Sequence, residues 1–229
     1  MKILALDSSG LVASVAVVEN DTLLAEYTVN YKKTHSQTLL PMLDEISNMT
    51  ELDLSTIDAI AVAGGPGSFT GLRIGSATAK GLGLALEKPL ISIPTTAAIA
   101  YNIWDTDKFV CPIMDARRNQ VYTGVYCYTD HRLDTVWEQD TMSIEALAEG
   151  LNCLDHEVIF LGDGVAVYRE KLEALLTIPF SFAPAHVNRQ RAAAVGALAE
   201  VYYKEGKIQT AEEHEPEYLR KSQAERERA

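Results

Sequence analysis

The feature that most constrains the fold is an apolar strand that passes through a glycine-rich turn into a long helix. Residues 57–63 are almost continuously apolar, which is typical of a strand buried within a parallel sheet. The turn GGPGSFTG follows at 64–71, and a helix is predicted from Thr70 to Glu87. A glycine-rich turn between a strand and a helix can hold a phosphate, so the turn predicts either a nucleotide site or close backbone packing.

The same order of elements occurs twice along the chain. Strand 2–7 ends in an acid and leads through a short turn into a second strand, and strand 109–115 does the same. A strand, a glycine turn and a helix come later in each half, at 57–87 and from 157 onward. Internal duplication predicts two related lobes, which we place at 1–106 and 107–229, the last segment packing back on the first lobe. One continuous domain with accidental similarity is the alternative.

Further elements follow from hydrophobic periodicity, turn residues and caps. Mixed sheets covered by helices are the expected α/β architecture. A capping box at Thr34 and Gln37 begins the first predicted helix. The remaining predicted strands are 12–18, 22–31, 90–93, 120–128 and 157–161, and the remaining helices are 34–48, one from 95 and 188–204.

Composition excludes several classes of protein. The 229 residues are 47% hydrophobic without a membrane-length apolar run, and the first residues form a strand rather than a signal peptide. The net charge of −12 disfavours tight unaided binding of tRNA or DNA. Lys32-Lys33 and Arg117-Arg118 are candidate basic patches, but solvated turns are the favoured interpretation of either pair. Three cysteines without C-x-x-C spacing indicate buried free thiols in the cytoplasm.

Small residues recur every four positions along the predicted helix 70–87, which is apolar over most of its circumference. A glycine inside a helix costs about 1 kcal/mol relative to alanine, so this stripe needs a packing reason. Contact with the protein's own sheet is one explanation, and an interface with another subunit, joined by helix 35–48, is the other. The predicted interface residues are Leu39, Met42, Leu43, Ile46, Gly71, Leu72, Gly75, Ala79, Leu82 and Gly83.

Local motifs for catalysis are weak. The five histidines form no local ligand pair, so we expect no metal and no cofactor. The turn lacks both the G-x-S-x-G spacing and the P-loop lysine, and Ser68 and Thr70 are better explained as helix caps. Vestigial nucleotide or anion loops remain a hypothesis for Asp7, Ser8, Ser9, Gly65, Gly67, Ser68 and Asp115.

Several segments together resemble the bacterial TsaB (YeaZ) family over nearly the whole chain. The turn GPGSFTGLR at 65–73 is the most specific of them. The others are ILALDSS at 3–9, HSQ with LLP at 35–41, DARRNQVY at 115–122 and PEYLR at 216–220. The resemblance implies an actin/Hsp70-like (ASKHA, ribonuclease-H-like) fold with two lobes.

The resemblance also implies a function in making threonylcarbamoyladenosine beside the anticodon of tRNA. The related transferase TsaD carries an H-x-x-x-H metal pair, at positions that correspond here to Thr95 and Ile99. The family therefore implies a non-catalytic partner that docks on TsaD, with the small ATPase TsaE joining the assembly and tRNA reached only through the complex. Homodimers are implied when the chain is alone. An ATP- or metal-dependent enzyme of the same fold, or a glycoprotease-like peptidase, is the alternative.

Overall fold

The computed structural model describes residues 1–31 and 35–220. The predicted capping residue Thr34, the pair Lys32-Lys33 and the predicted frayed end at 222–229 lie outside the described residues. The strands are β1 (Lys2–Asp7), β2 (Val12–Glu19), β3 (Thr22–Asn30), β4 (Ala59–Gly65), β5 (Leu90–Pro94), β6 (Phe109–Asp115), β7 (Gln120–Thr129), β8 (Arg132–Ser143), β9 (Val158–Leu161) and β10 (Phe180–Phe182). The helices are α1 (Leu39–Thr50), α2 (Phe69–Leu86), α3 (Thr95–Ala100), α4 (Ile144–Leu154), α5 (Val165–Leu175) and α6 (Ala192–Lys204).

The described chain divides into two compact units. The first contains residues 1–31, 35–98 and 190–220, and the second contains residues 99–189. The predicted domains 1–106 and 107–229 are corrected accordingly. The C-terminal part belongs to the first unit because α6 packs on its sheet: a Cβ added at Gly196 would lie 2.7 Å from Val18.

Each unit contains one five-stranded mixed sheet. The first has the order β3-β2-β1-β4-β5, in which β1 pairs antiparallel with β2 and parallel with β4. The second has the order β10-β9-β6-β7-β8, which is the same topology for the second set of five strands. The predicted duplication is therefore confirmed.

In the first unit, helices cover both faces of the sheet. Leu4 and Leu6 of β1 are fully buried in a core that includes the inner sides of α1 and α2. Ala5 faces the opposite way, toward α6. Since β1 and β4 are buried on both faces, their sequences are nearly continuous apolar runs.

The second unit has a separate core. Phe160 of β9 is fully buried in it, together with Leu147 and Leu151 of α4 and Leu172 of α5. Ser143 begins α4 by accepting a hydrogen bond from the Ala146 N–H at 3.1 Å. The elements β8, α4 and β10 were absent from the sequence prediction.

Two predicted helix starts are wrong because the residues before each helix make contacts with distant parts of the chain. The first helix begins at Leu39, because residues 35–37 form a 3-10 turn in which His35 Nε2 is bonded to the Gly10 carbonyl at 2.8 Å. The last helix begins at Ala192 rather than 188, because Arg191 is extended and pairs with Glu26. Of the cysteines, Cys111 is buried as predicted, whereas Cys153 is exposed.

No helix within residues 1–31 and 35–220 combines the length and apolar character needed to cross a membrane.

Candidate docking face and the closed glycine turn

The first strand ends at Asp7, whose side chain is completely buried. One carboxylate oxygen, Oδ1, accepts hydrogen bonds from the Ser9 N–H at 2.9 Å and from the Ser9 hydroxyl at 2.7 Å. The other oxygen, Oδ2, has no hydrogen-bond partner among the described residues. Burial raises the pKa of Asp7 to about 6, although the bonds from Ser9 oppose this shift. The turn after β1 therefore holds a partly satisfied buried acid.

The glycine-rich turn after β4 packs directly against the turn after β1. The Ser68 N–H donates to the Ser9 carbonyl at 2.6 Å, and the Ser8 hydroxyl donates to the Gly71 carbonyl at 2.9 Å. A Cβ at Gly67 or Gly71 would lie closer than 3.0 Å to a carbonyl oxygen of this neighbouring turn. These glycines are required because two backbone segments meet there.

Three N–H groups of this turn, those of Gly65, Ser68 and Gly71, have protein partners. Gly65, at φ +125°, donates to Thr95 Oγ1 at 3.2 Å. Gly71 donates to Ser68 Oγ at 3.3 Å, so Ser68 is the N-cap of α2, as predicted, whereas Thr70 lies inside the helix. Six of the seven residues of the anion-loop hypothesis meet in the first unit, but Asp115 lies in the second.

The stripe of small residues on α2 faces the protein's own interior. Ala79 is fully buried, and a Cβ at Gly75 would lie 2.5 Å from Ser8 Oγ. A Cβ at Gly83 would come closer than 3.0 Å to the side chain of Leu90. Glycine on this side of the helix therefore permits close packing on the chain's own turn and strand.

The predicted interface residues are corrected for this reason. Nine of the ten are buried within the chain, and the tenth, Leu82, is partly buried against the same core. The four predicted interface residues on α1 are only 1–5% exposed. The buried nine are Leu39, Met42, Leu43, Ile46, Gly71, Leu72, Gly75, Ala79 and Gly83.

The opposite sides of α1 and α2 are solvent-exposed and contain apolar and small residues. Leu84 is 61% exposed, Met49 is 76% exposed and Leu40 is 53% exposed. Ala77 and Gly81 are exposed on α2, and a Cβ at Gly81 would meet no atom within 4 Å. We call these five residues the outer face; Ala77, Gly81 and Leu84 share one side of α2, whereas Leu40 and Met49, nine positions apart, lie on opposite flanks of α1. Its signal in the sequence is a second small-residue spacing, from Ala77 to Gly81, which the predicted interface did not include.

The C-terminal segment of the described chain crosses α2 beside this face. Tyr218 stacks on Phe69 with ring centroids 4.8 Å apart, and the Arg73 guanidinium lies 4.0 Å from the centre of the Phe69 ring. Lys80 donates to the His214 carbonyl at 3.0 Å. These contacts fix the ordered segment predicted at 216–220 against the helix.

A serine and a histidine meet beneath that segment. Ser76 Oγ lies 2.9 Å from His214 Nε2, and His214 Nδ1 lies 2.9 Å from Gln209 Nε2. Because the Gln209 amide nitrogen can only donate, Nδ1 accepts, and the neutral ring carries its proton on Nε2. Burial lowers the pKa of His214, and the positive charge of Lys80 lowers it further, which favours this neutral form. Nε2 therefore donates to Ser76, the reverse of what a general base requires.

Groups of His, Cys, Asp or Glu that could bind a metal ion do not occur in the described part of the chain. The two positions that correspond to the H-x-x-x-H pair, Thr95 and Ile99, are almost completely buried.

Comparison with known proteins gives concordant results. The family model for TsaD, tRNA N6-adenosine threonylcarbamoyltransferase, matches residues 22–228. The tRNA threonylcarbamoyladenosine biosynthesis protein TsaB of Bacillus subtilis is 32% identical over 225 residues, covering 98% of this chain and 96% of that protein. A structure from Pseudomonas aeruginosa, of an uncharacterized protein with similarity to peptidase YEAZ, superposes with a TM-score of 0.83 at 27% identity, covering 96% of this chain and 99% of the other.

A more distant structure bears on the fold alone. The inorganic polyphosphate/ATP-glucomannokinase from Arthrobacter superposes with a TM-score of 0.53 at 16% identity, covering 89% of this chain and 99% of the other. Two copies of one mixed-sheet topology, flanked by helices, form the actin-like fold of the ASKHA class, as predicted. Within this class the chain belongs to the TsaB (YeaZ) family, whose named members are tRNA threonylcarbamoyladenosine biosynthesis proteins related to TsaD.

Proposed function

We propose that this chain is a non-catalytic subunit of the complex that forms threonylcarbamoyladenosine in tRNA, and that it docks on a TsaD-like transferase through the outer face of α1 and α2. The observation that carries the proposal is the exposed Gly81 in the middle of α2. A TsaE-like ATPase joins the assembly, and the chain acts in the cytoplasm.

Gly81 has no packing role within the described chain. Glycine costs about 1 kcal/mol in a helix interior relative to alanine, and here the position opens to solvent. Together with Ala77 it allows another helix to approach the α2 backbone closely, while Leu84 and Met49 supply apolar area to be buried. Docking by close helix packing is a direct use of this arrangement, and the same face forms the homodimer when no partner is present.

Three features support a non-catalytic role. The residues at the positions of the transferase's metal pair are Thr95 and Ile99, and neither is a comparable ligand. The Ser76–His214 pair is buried and has the tautomer that cannot activate a serine. Ser68, which follows the glycines, accepts a hydrogen bond as a helix cap.

The docking proposal is tested by placing a charge on the outer face. Ala77→Arg should abolish both co-purification with TsaD and self-association, because a guanidinium would be buried against the partner without a counter-charge. Pull-down, light scattering and a tRNA modification assay measure the result. Gly75→Leu or Ala79→Arg would not serve, because both positions are buried and such variants would disturb folding instead.

Ala166→Arg is the matched control, since Ala166 is exposed on α5 of the second unit. It should leave both complexes and the thermal unfolding temperature unchanged. The proposal fails if Ala77→Arg is folded and still binds TsaD as tightly as the wild type.

A nucleotide-dependent enzyme is the second candidate, favoured by the unpartnered Oδ2 of Asp7. Calorimetry with ATP and Mg²⁺ on the isolated chain distinguishes the two. Micromolar binding with turnover, lost in Asp7→Asn, would support the enzyme.

A further inference from the structure

The turn between β6 and β7 has an uncommon backbone. Arg117, Arg118 and Asn119 have φ values of +61°, +56° and +59°, so three successive non-glycine residues are left-handed. L-residues rarely adopt this conformation because Cβ crowds the following carbonyl, and such strain concentrates at functional sites. We call these three residues the arginine turn.

Specific hydrogen bonds hold the turn in this conformation. The Arg117 N–H donates to Asp115 Oδ1 at 2.8 Å, and the Gln120 N–H donates back to the Arg117 carbonyl at 3.2 Å. The Asn119 amide donates to Glu145 at 2.7 Å and accepts from Lys171 at 2.6 Å. Both ends of the turn are therefore fixed, and the two arginine side chains project from a rigid base.

Of the acidic groups beside the turn, Glu145 has a cationic partner, whereas Asp115 accepts hydrogen bonds, among the described residues, from neutral groups only. Lys171 pairs with Glu145 at 2.5 Å and, with the Asn119 amide, holds the pKa of that carboxyl below its usual value. Asp115 accepts from the Tyr168 hydroxyl at 3.2 Å in addition to the backbone N–H. Neither arginine side chain has a hydrogen bond or ion pair to residues 1–31 or 35–220, although the whole chain carries a net charge of −12. The turn thus presents two exposed arginine side chains, without an ion-pair partner among residues 1–31 and 35–220, on an acidic protein.

We propose that the arginine turn binds the phosphate backbone of RNA. Successive residues of such a turn point about 100° apart, so the two guanidinium groups reach separate anions rather than one carboxylate. Phosphodiesters repeat along RNA, and arginine is well suited to them because its planar fork matches phosphate geometry. No aromatic side chain lies within the turn, so the contact would be independent of base sequence.

This inference rests on the proposed function, since the RNA is the tRNA held by the TsaD partner. It departs from the expectation that tRNA is reached only through that partner. The acidic remainder of the surface repels RNA, so the turn adds affinity to an RNA that is already held nearby.

The test compares tRNA affinity of the complex with TsaD for the wild type and for Arg117→Gln/Arg118→Gln, by fluorescence anisotropy between about 50 and about 200 mM salt. We expect affinity to fall about fivefold or more at low salt, and the slope of log affinity against log salt to decrease by about 1 for each arginine in contact. Arg169→Gln/Lys204→Gln changes the net charge equally at two exposed residues elsewhere and should leave the slope unchanged.

Unchanged affinity and slope in the arginine variant would overturn the inference while leaving the proposed function intact. If RNA affinity is unchanged but recruitment of the TsaE ATPase is lost, the turn binds an acidic protein surface and the inference is likewise wrong. If the wild type fails to bind TsaD, the proposed function fails. In that case the same variants are compared as isolated chains with the same tRNA at low salt: weaker binding by the arginine variant than by the wild type supports the inference, and equal binding, or no binding by either, overturns it.

Discussion

Replacing Gly71 by alanine adds one methyl group where α2 meets the turn after β1. The added Cβ would lie closer than 3.0 Å to the Ser8 carbonyl oxygen, a distance that Cβ atoms essentially never show. The turn cannot simply move away. The Ser8 hydroxyl is bonded to the Gly71 carbonyl at 2.9 Å, and the Ser9 carbonyl accepts from Ser68 at 2.6 Å.

Two opposing effects determine how Gly71→Ala changes the free energy of unfolding. Alanine favours the helix by about 1 kcal/mol relative to glycine. Overpacking typically costs about 1–3 kcal/mol, and each of the two strained hydrogen bonds contributes about 1 kcal/mol. We expect the free energy of unfolding to fall by about 2 kcal/mol, which lowers the melting temperature by about 4–8 °C in a chain of this size.

Gly81→Ala is the matched control on the same helix. A Cβ there meets nothing within 4 Å, so only the helix preference acts and stability should rise by up to about 1 kcal/mol. Urea and thermal unfolding of both variants, followed by circular dichroism at a concentration where the chain is monomeric, measure the two changes. Equal or greater stability of Gly71→Ala relative to the wild type would refute the close packing of α2 on the turn after β1.

The remaining predictions concern pH. Burial raises the pKa of Asp7 from 3.8 to about 6, so its ionisation destabilises the folded state as pH rises through that window. Asp7→Asn should therefore raise the unfolding free energy by up to about 3 kcal/mol at pH 7 but hardly at all below pH 3.8. Urea titrations at the two pH values measure this, and an equal gain in unfolding free energy at both would contradict the prediction. The pKa of His214 is lowered from 6.5, so the folded state excludes a proton that the unfolded chain binds, and stability falls as pH drops below 6.5. His214→Gln should flatten this part of the pH profile, and parallel profiles for variant and wild type would show that the histidine is not responsible.

Elements with strong local patterns were predictable. The strand ending at Asp7 and the helix capped by Ser68 were predicted to within one or two residues, because apolar runs and cap residues are local signals. The strand Arg132–Ser143 was missed because its burial alternates only weakly, and Phe180–Phe182 because it has just three residues. The start of α6 was misplaced because Arg191 forms an ion pair with Glu26, which is far away in sequence.

The sequence by itself determined the order of strands and helices up to residue 100, the duplication and the resemblance to the TsaB family, since these depend on periodicity and short motifs. Only the tertiary structure decided which side of α2 is free. Hydrophobic periodicity shows that a helix face is buried but not what covers it, and a glycine admits the chain's own backbone as readily as that of a partner. Gly71 and Gly75 pack on the turn after β1, whereas Gly81 opens to solvent, a distinction that depends on contacts between residues more than sixty positions apart.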